Sequence, residues 1–185
     1  MANAPALLRA LAVPLVFIAT CAAALEAHQG REDAERQPPI PLAGAPAREA
    51  LIDEFLDALA RSDRDALQRL RVSKDEYIQI IVPGNVAPGQ PPLQTFEKNN
   101  EVFWTLLDTR SRMFADVLLR DYGGKRYSVQ SVQFSRPAQE HPWYTAHGEL
   151  RLHLVSPEGK GFVLRSGWIA EANGRWKFIG YEWDD

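Results

Sequence analysis

The sequence predicts an α+β domain, made of N-terminal helices packed on an antiparallel sheet and preceded by a signal sequence and a disordered linker. Two changes of pattern along the chain indicate this class. Apolar residues recur at helical spacing as far as about residue 122 and alternate with polar residues after it. Before residue 48, an apolar leader and a proline-rich stretch show neither period. We therefore divide the chain into a signal peptide over 1–24, a flexible linker over 25–47 and one domain over 48–185.

The first 24 residues have the composition of a secretory signal peptide. Arg9 is the only charged residue among them, an apolar run covers 11–19, and small residues follow at 20–24. A positive start, an apolar stretch and a small-residue exit are what signal peptidases recognise. The run is too short for a transmembrane helix, which needs about 20 apolar residues. We therefore expect this chain to be exported.

Two ways of processing this leader are consistent with the sequence. Ala22 to Ala24 form an A-x-A site, which predicts release before Leu25. The segment from Ile18 to Cys21 resembles the lipobox of bacterial lipoproteins, in which the cysteine is lipidated and becomes the new N-terminus, although Thr20 departs from the usual Gly, Ala or Ser. The mature protein is then either free in the periplasm or held at an envelope membrane through a lipid on Cys21.

The charge of the mature chain argues against a nucleic-acid partner. Removing 1–24 takes Arg9 from the 21 Lys and Arg and leaves all 24 Asp and Glu, so the mature net charge is −4. Binding to phosphates needs clustered basic residues, and no run of them stands out. Cys21 is the only cysteine, so no intrachain disulfide can form and the apolar core must supply the stability.

Helices are predicted from residue 48 to residue 122. One apolar face defines the first helix, with Leu51, Ile52, Phe55, Leu56 and Leu59. Ser62-Asp63 ends it and caps a short second helix, and Ser73 and Glu76 form a capping-box pattern ahead of a third apolar stretch. A proline-rich loop over 83–92 precedes a long helix from about Leu93, which Gly123-Gly124 ends.

Strands are predicted after this helix, and the last two form a hairpin. The predicted strands cover 127–134, 143–155, 162–171 and 175–183. Asn173-Gly174 favours a two-residue turn, and pairing outward from it places Trp168 opposite Ile179 and Ser166 opposite Tyr181. We assign that face to the core. The reverse face is also apolar, with Ile169 opposite Phe178, and we expect a second subunit to cover it in a homodimer.

The order of elements, the helix break at Ser62-Asp63 and the terminal hairpin over 167–183 resemble the nuclear transport factor 2-like superfamily. The hairpin closes on G-R-W-K-F-I-G-Y-E-W. This superfamily includes SnoaL-like cyclases and ketosteroid isomerases, and the resemblance covers 48–185. It implies a curved, cone-shaped sheet, a pocket between the sheet and the helices, and a dimer across the outer sheet face. Because the superfamily contains enzymes, ligand binders and interaction modules, it leaves the function open.

In such a cone, large aromatic side chains and a few hydroxyls would line the pocket. The candidate ligand-binding residues are Tyr77, Phe103, Trp104, Ser166, Trp168 and Tyr181, with Leu164 and Trp183 beside them. They suit an apolar or aromatic small molecule, but the same side chains would equally fill a core. Asn100, on the apolar stripe of the long helix, is either a polar group of the pocket or a partner of nearby backbone.

Catalytic and metal-binding signals are weak in this sequence. A ketosteroid-type isomerase needs a buried carboxylate base, and no Asp or Glu falls on the predicted core face of the last two strands. His147, Glu149, Arg151 and His153 form a polar row, which we interpret as a solvated strand face and not as a zinc site. We expect no cofactor. The leading hypothesis is an exported binding or interaction domain, and the alternatives are an isomerase, dehydratase or cyclase, or an accessory subunit of a cell-envelope complex.

Overall fold

The computed structural model describes residues 38–87, 90, 92 and 97–181, without the side chains of Glu97 and Lys98. The predicted signal peptide, Cys21 and Trp183 lie outside the described residues. The described residues from 38 to 181 belong to one compact unit. Within the part of the chain that is described, no helix is both long enough and apolar enough to cross a membrane.

The first half of this unit is helical. Its elements are α1 Arg48–Ala60, α2 Arg64–Arg69, α3 Lys74–Glu76, a π-helical turn Tyr77–Ile81, α4 Val82–Gly84 and α5 Glu97–Tyr122. Both predicted caps are present, because the Asp63 side chain accepts from the Ala66 amide and Ser73 forms a reciprocal capping box with Glu76. The predicted helix order is therefore confirmed.

The second half forms two antiparallel sheets, which confirms the α+β class. The strands are β1 Ser128–Phe134, β2 Gln139–Glu140, β3 Thr145–His147, β4 Leu150–Val155, β5 Gly161–Arg165, β6 Gly167–Ala172 and β7 Arg175–Tyr181. Their orders are β1-β4-β5 and β2-β3-β6-β7. Each of the two long predicted strands is interrupted, one at Gly148 and the other at Ser166, and the Ser166 amide donates to the Leu150 carbonyl at 3.0 Å.

The hairpin turn is as predicted, but the register beyond it is not. Asn173 and Gly174 both have positive φ, and Ile169 pairs with Phe178. A bulge at Ile179 then shifts the pairing, so that Trp168 lies opposite Gly180 and Gly167 opposite Tyr181. The predicted pairs of Trp168 with Ile179 and of Ser166 with Tyr181 are therefore wrong. An extra residue in one strand moves every later side chain to the other face.

Apolar clusters cover both faces of the second sheet. The first cluster joins Ile169, Phe178 and Tyr181 to α1 and α5, and Phe55 packs on Phe178 at 5.2 Å between ring centroids. The second cluster contains Ala170, Tyr77, Trp104, Trp168 and Ile179, with Leu42, Val72, Ile80, Ile81, Tyr144 and Ala146. The face predicted to await a second subunit is thus the face on which the chain's own helices pack.

The end of the predicted linker belongs to this fold. Leu42 and Ala45 are buried, and Ala45 exchanges two backbone hydrogen bonds with Trp176 at the edge of β7. A Cβ on Gly44 would lie 2.4 Å from the Trp176 carbonyl oxygen, so glycine permits this approach. The flexible linker predicted over 25–47 therefore differs from the structure from residue 38 onward. The proline-rich composition of this stretch predicts no pairing with a sheet, whereas in the structure Ala45 pairs with Trp176 of β7.

Candidate functional site

Arg71 is a buried arginine at the edge of β7. Backbone hydrogen bonds hold its neighbours there, because Phe178 donates to the Leu70 carbonyl and Val72 donates to the Phe178 carbonyl. The Arg71 side chain is 1% exposed and extends to α5, where Nη1 lies 3.1 Å from an Asp108 carboxylate oxygen. The edge of β7 thus fixes the backbone around Arg71, and the guanidinium forms an ion pair with a carboxylate of α5.

Two further groups contact this guanidinium. Nη1 also donates to Gln68 Oε1 at 2.7 Å, and the guanidinium carbon lies 5.9 Å from the centroid of the Trp104 ring. The Trp104 ring in turn packs against Tyr77 at 5.6 Å between centroids. Arg71 is therefore held between an amide, a carboxylate and the face of an indole, which attracts a cation.

Several buried nitrogens around Arg71 have no hydrogen-bond partner among the described residues. They are Arg71 Nε, Arg71 Nη2, Gln68 Nε2 and Asn100 Nδ2. All four are donors, and an unmet buried donor costs about 1–3 kcal/mol. Asn100, Trp104 and Asp108 lie one turn apart along α5, so they share one face of that helix. We call Gln68, Arg71, Asn100, Trp104 and Asp108 the Arg71 site.

The single carboxylate of the Arg71 site is shared with an exposed arginine. Asp108 is shared, because its second oxygen accepts from Arg112 Nε at 2.7 Å. One carboxylate thus faces two guanidinium groups. Glu101, the next acidic residue toward the start of α5, binds Lys74 at 2.8 Å. Burial lowers the pKa of Arg71, while the hydrogen bond and the charge of Asp108 oppose this, and arginine stays protonated in either case.

Three of the six predicted ligand-binding residues lie on this side of the molecule. Tyr77, Trp104 and Trp168 belong to the second apolar cluster, on the side of the sheet opposite α1. The Arg136 guanidinium covers the Trp168 ring at 5.6 Å. Asn100, the sequence candidate for a polar pocket group, is 4% exposed within the Arg71 site. Of the predicted set, Tyr77 and Trp104 are in direct contact.

The other three predicted residues do not belong to the Arg71 site. Ser166 and Tyr181 are fully buried, and their hydroxyls donate to the backbone carbonyls of Leu150 at 3.4 Å and Leu67 at 2.8 Å. Phe103 is 53% exposed on the outer side of α5. Ser166 and Tyr181 thus fill the core, the other role that the sequence allowed for them. The bulge at Ile179 separates Tyr181 from Trp168, and it has no signal in the sequence.

Sequence reasoning did not identify Arg71, Gln68 or Asp108 as site residues. Arg71 follows the apolar residues of α2 and precedes Ser73, so it resembles any charged residue between helices. One signal was present. Asp108 lies eight residues after Asn100, two helical turns along the same stripe, so a second polar residue on an apolar face pointed to this position.

Glu76 is a buried carboxylate whose hydrogen bonds are already made. It accepts from Lys177 Nζ at 2.8 Å and from the backbone amides of Ser73 and Ala43 at 2.6 and 2.7 Å. Burial alone would raise the pKa of Glu76, but these hydrogen bonds outweigh it and hold that pKa below its ordinary value. A carboxylate in this state is a poor proton acceptor for catalysis.

Glu149 is the second buried carboxylate and is likewise paired. Both of its oxygens accept from Arg165 at 2.6 Å, and Arg151 Nε lies 3.2 Å away. Glu149 is 0% exposed, so the solvated face predicted for His147, Glu149, Arg151 and His153 is wrong at this position. No three residues of the metal-ligating types lie together in the described parts of the chain.

One open cleft on the surface lies away from the Arg71 site. A cleft of about 440 Å³ lies between the end of α5 and the turn after β4, beside the stacked rings of Tyr122 and Phe162. Lys125, Lys160 and Glu158 border it, and Lys125 forms a long ion pair with Glu158 at 3.9 Å. These charged groups extend into solvent, so this cleft lacks the buried, unmet donors that distinguish the Arg71 site.

Comparisons of this chain with protein-family models, with curated proteins and with solved structures find no match. The case for a function therefore depends on the geometry of the buried groups.

Proposed function

We propose that this protein is an exported, non-catalytic domain of the nuclear transport factor 2-like fold that binds a small molecule at the Arg71 site. One observation carries the proposal: a buried guanidinium that lies against the Trp104 ring keeps two unmet donors of its own, and the Arg71 site adds two more on Gln68 and Asn100. A fold that leaves this many buried donors unmet gains stability when a ligand accepts from them. The helix-then-sheet order and the terminal hairpin support the fold assignment.

The state of the buried carboxylates supports binding over catalysis. Glu76 and Glu149 are both saturated by hydrogen bonds and ion pairs. An isomerase, dehydratase or cyclase acting by proton transfer needs a carboxylate or histidine poised to exchange a proton in its cavity. The groups of the Arg71 site are donors, with Asp108 paired to two arginines. We therefore prefer a binding domain to an enzyme.

Native mass spectrometry of the full chain, purified from its own export compartment, tests the proposal. We expect a small-molecule adduct on the wild type that is absent from Arg71→Gln. Arg120→Gln is the control, because Arg120 is an exposed arginine near the end of α5, paired with its neighbour Asp121. Circular dichroism checks that each variant folds. A wild-type protein without any adduct would contradict the proposal.

The same preparation tests export. The charged start, apolar run and small-residue exit favour a processed N-terminus, in the periplasm or on an envelope membrane. We expect the mature protein to begin either with a diacylglyceryl-modified Cys21 or with a free Leu25. An intact Met1 in exported material would contradict both forms of processing.

A second function is favoured by the outer side of α5. Large apolar side chains there are 53–64% exposed, namely Val102, Phe103, Leu106 and Met113. Exposed apolar stripes of this kind often mark protein contacts, which suits an accessory subunit of an envelope complex. The double variant Leu106→Glu and Met113→Glu tests it. We expect the wild type to migrate in a larger native assembly and the variant as a free chain, and identical migration would exclude this role.

A further inference from the structure

We infer that the Arg71 site takes a singly charged carboxylate attached to a small apolar or aromatic body. This inference rests on the proposed binding function and narrows it to one class of ligand. The three properties that select the class are the edge of the guanidinium that is open, the charge already present and the rings beside it.

The open edge of Arg71 has the shape of a carboxylate partner. Gln68 and Asp108 both accept from Nη1, which leaves Nε and Nη2 without partners. The N–H bonds of Nε and Nη2 point in parallel along one side of the planar guanidinium. Two parallel donors match the two oxygens of one carboxylate, which gives a bidentate pair.

The two unmet amides of the Arg71 site also require an acceptor. The Oε1 atom of Gln68 faces Arg71 Nη1, so the amide nitrogen is the part of Gln68 that remains unmet. Asn100 also leaves its Nδ2 without a partner, one turn before Trp104 on α5. An ionised carboxylate has about four lone-pair sites and no proton to donate. It can therefore accept from Arg71 and still have acceptor capacity for an amide.

The charge of the site selects a monoanion. Arg71 and Asp108 form an ion pair of zero net charge, and the Arg112 guanidinium that shares Asp108 is 61% exposed. Arg112 can therefore offset one further negative charge at the margin of the site. A phosphate monoester carries up to two negative charges at neutral pH and would leave the buried cluster with an excess. Because an uncompensated buried charge is costly, a carboxylate fits this site better than a phosphate.

The rings of Tyr77 and Trp104 define the rest of the ligand. They lie 5.6 Å apart with an angle of 47° between their planes, and Trp168 belongs to the same apolar cluster. Aromatic side chains beside a few polar groups are typical of sites for small organic molecules. An aromatic or short aliphatic acid would place its apolar body on these rings and its carboxylate on Arg71.

Calorimetric titration of the full mature chain with matched pairs of probes tests the inference. The probes are benzoate, phenylacetate and octanoate, each compared with its neutral amide, and inorganic phosphate. We expect at least one acid to bind about tenfold or more tightly than its amide, since hydrogen bonds to a charged group contribute about 1.5–3 kcal/mol. Arg71→Lys keeps the charge but loses the parallel donors, so we expect it to weaken that acid about tenfold or more. Arg120→Gln should bind like the wild type.

Each other outcome has a definite meaning. Equal binding of acid and amide, or tighter binding of phosphate than of any acid, would overturn the assignment of a carboxylate ligand while leaving a small-molecule site in place. Failure of every acid to bind would also overturn it. The proposed binding function falls separately, if native mass spectrometry finds no adduct on the wild type. Should Arg71→Lys unfold, Asn100→Leu provides the second variant, because it removes one unmet donor and leaves the hydrogen bonds of Arg71 Nη1 to Gln68 and Asp108 in place. Unchanged acid affinity in Asn100→Leu would count against the site.

Discussion

Two buried charged clusters join the helices to β7, and they differ in how completely their hydrogen bonds are made. In the first, Glu76 accepts from Lys177 and from two backbone amides, one of them Ala43 in the segment before α1. In the second, Arg71 binds Asp108 and Gln68 but keeps Nε and Nη2 without partners. Burial is similar in both, so it does not distinguish a structural cluster from a binding site. The presence of buried donors without a hydrogen-bond partner distinguishes them.

Breaking the saturated cluster should have the largest effect on stability. Lys177→Met leaves the Glu76 charge buried with only its amide donors, and loss of one partner of a buried pair costs about 3–5 kcal/mol. We expect urea unfolding at pH 7 to show a loss of that size. Lys74→Met is the matched control, because Lys74 and Glu101 form an exposed pair, for which a change of about 0–1 kcal/mol is expected. Equal losses in the two variants would contradict the structural role of Glu76.

A smaller effect is expected at Tyr181, which the sequence proposed for the pocket and the structure places in the core. Tyr181→Phe removes a hydroxyl that donates to the Leu67 carbonyl inside the first apolar cluster. Leaving that carbonyl unmet should cost about 1–3 kcal/mol in urea unfolding without changing the affinity for any ligand. Tyr127→Phe is the control, since Tyr127 donates to the Tyr122 carbonyl in a half-buried setting. A loss of ligand affinity in Tyr181→Phe would return Tyr181 to the binding site.

The helices and the hairpin turn could be predicted because their signals are local. The capping pair of Ser73 and Glu76 lies within three residues, and the positive φ of Asn173 and Gly174 is a property of those residue types. Both features depend on neighbours in sequence. The fold class follows from such elements in order.

The register and the Arg71 site depend on contacts between distant parts of the chain. The bulge at Ile179 occurs where α5 passes close to β7, since a Cβ on Gly180 would lie 2.7 Å from the Ser111 hydroxyl. Arg71 meets Asp108 across 37 positions of sequence. No local pattern encodes such a meeting. Aromatic composition indicated Tyr77 and Trp104, but only the packing brings the charge of Arg71 against the Trp104 ring.

At the Arg71 site, removal of an unmet donor should stabilise the unliganded protein. Asn100→Leu replaces a buried amide with an apolar side chain of similar size, and leucine also favours helices more than asparagine. We expect a gain of about 1 kcal/mol in urea unfolding and weaker binding of the preferred acid. Asn99→Leu is the control, because Asn99 is exposed and this change alters only the helix preference. A loss of stability in Asn100→Leu would mean that the amide already has a structural role.

The smallest effect that separates the two clusters is their response to acid. The pKa of Glu76 lies below its ordinary value of 4.5, so the unfolded chain binds a proton there before the folded chain does. The stability that ionised Glu76 contributes is therefore complete above about pH 5 and is lost as the pH falls through 4.5 toward the folded pKa. Arg71 keeps its charge throughout this window.

Other carboxylates titrate there too, so the informative quantity is the difference between the free energies of unfolding of the wild type and of Glu76→Gln, measured in urea from pH 6 to pH 3. We expect that difference to narrow as the pH falls, because protonated Glu76 resembles glutamine. A constant difference would show that the charge of Glu76 contributes nothing, and the contrast between a saturated and an unsaturated cluster would then lose its electrostatic basis.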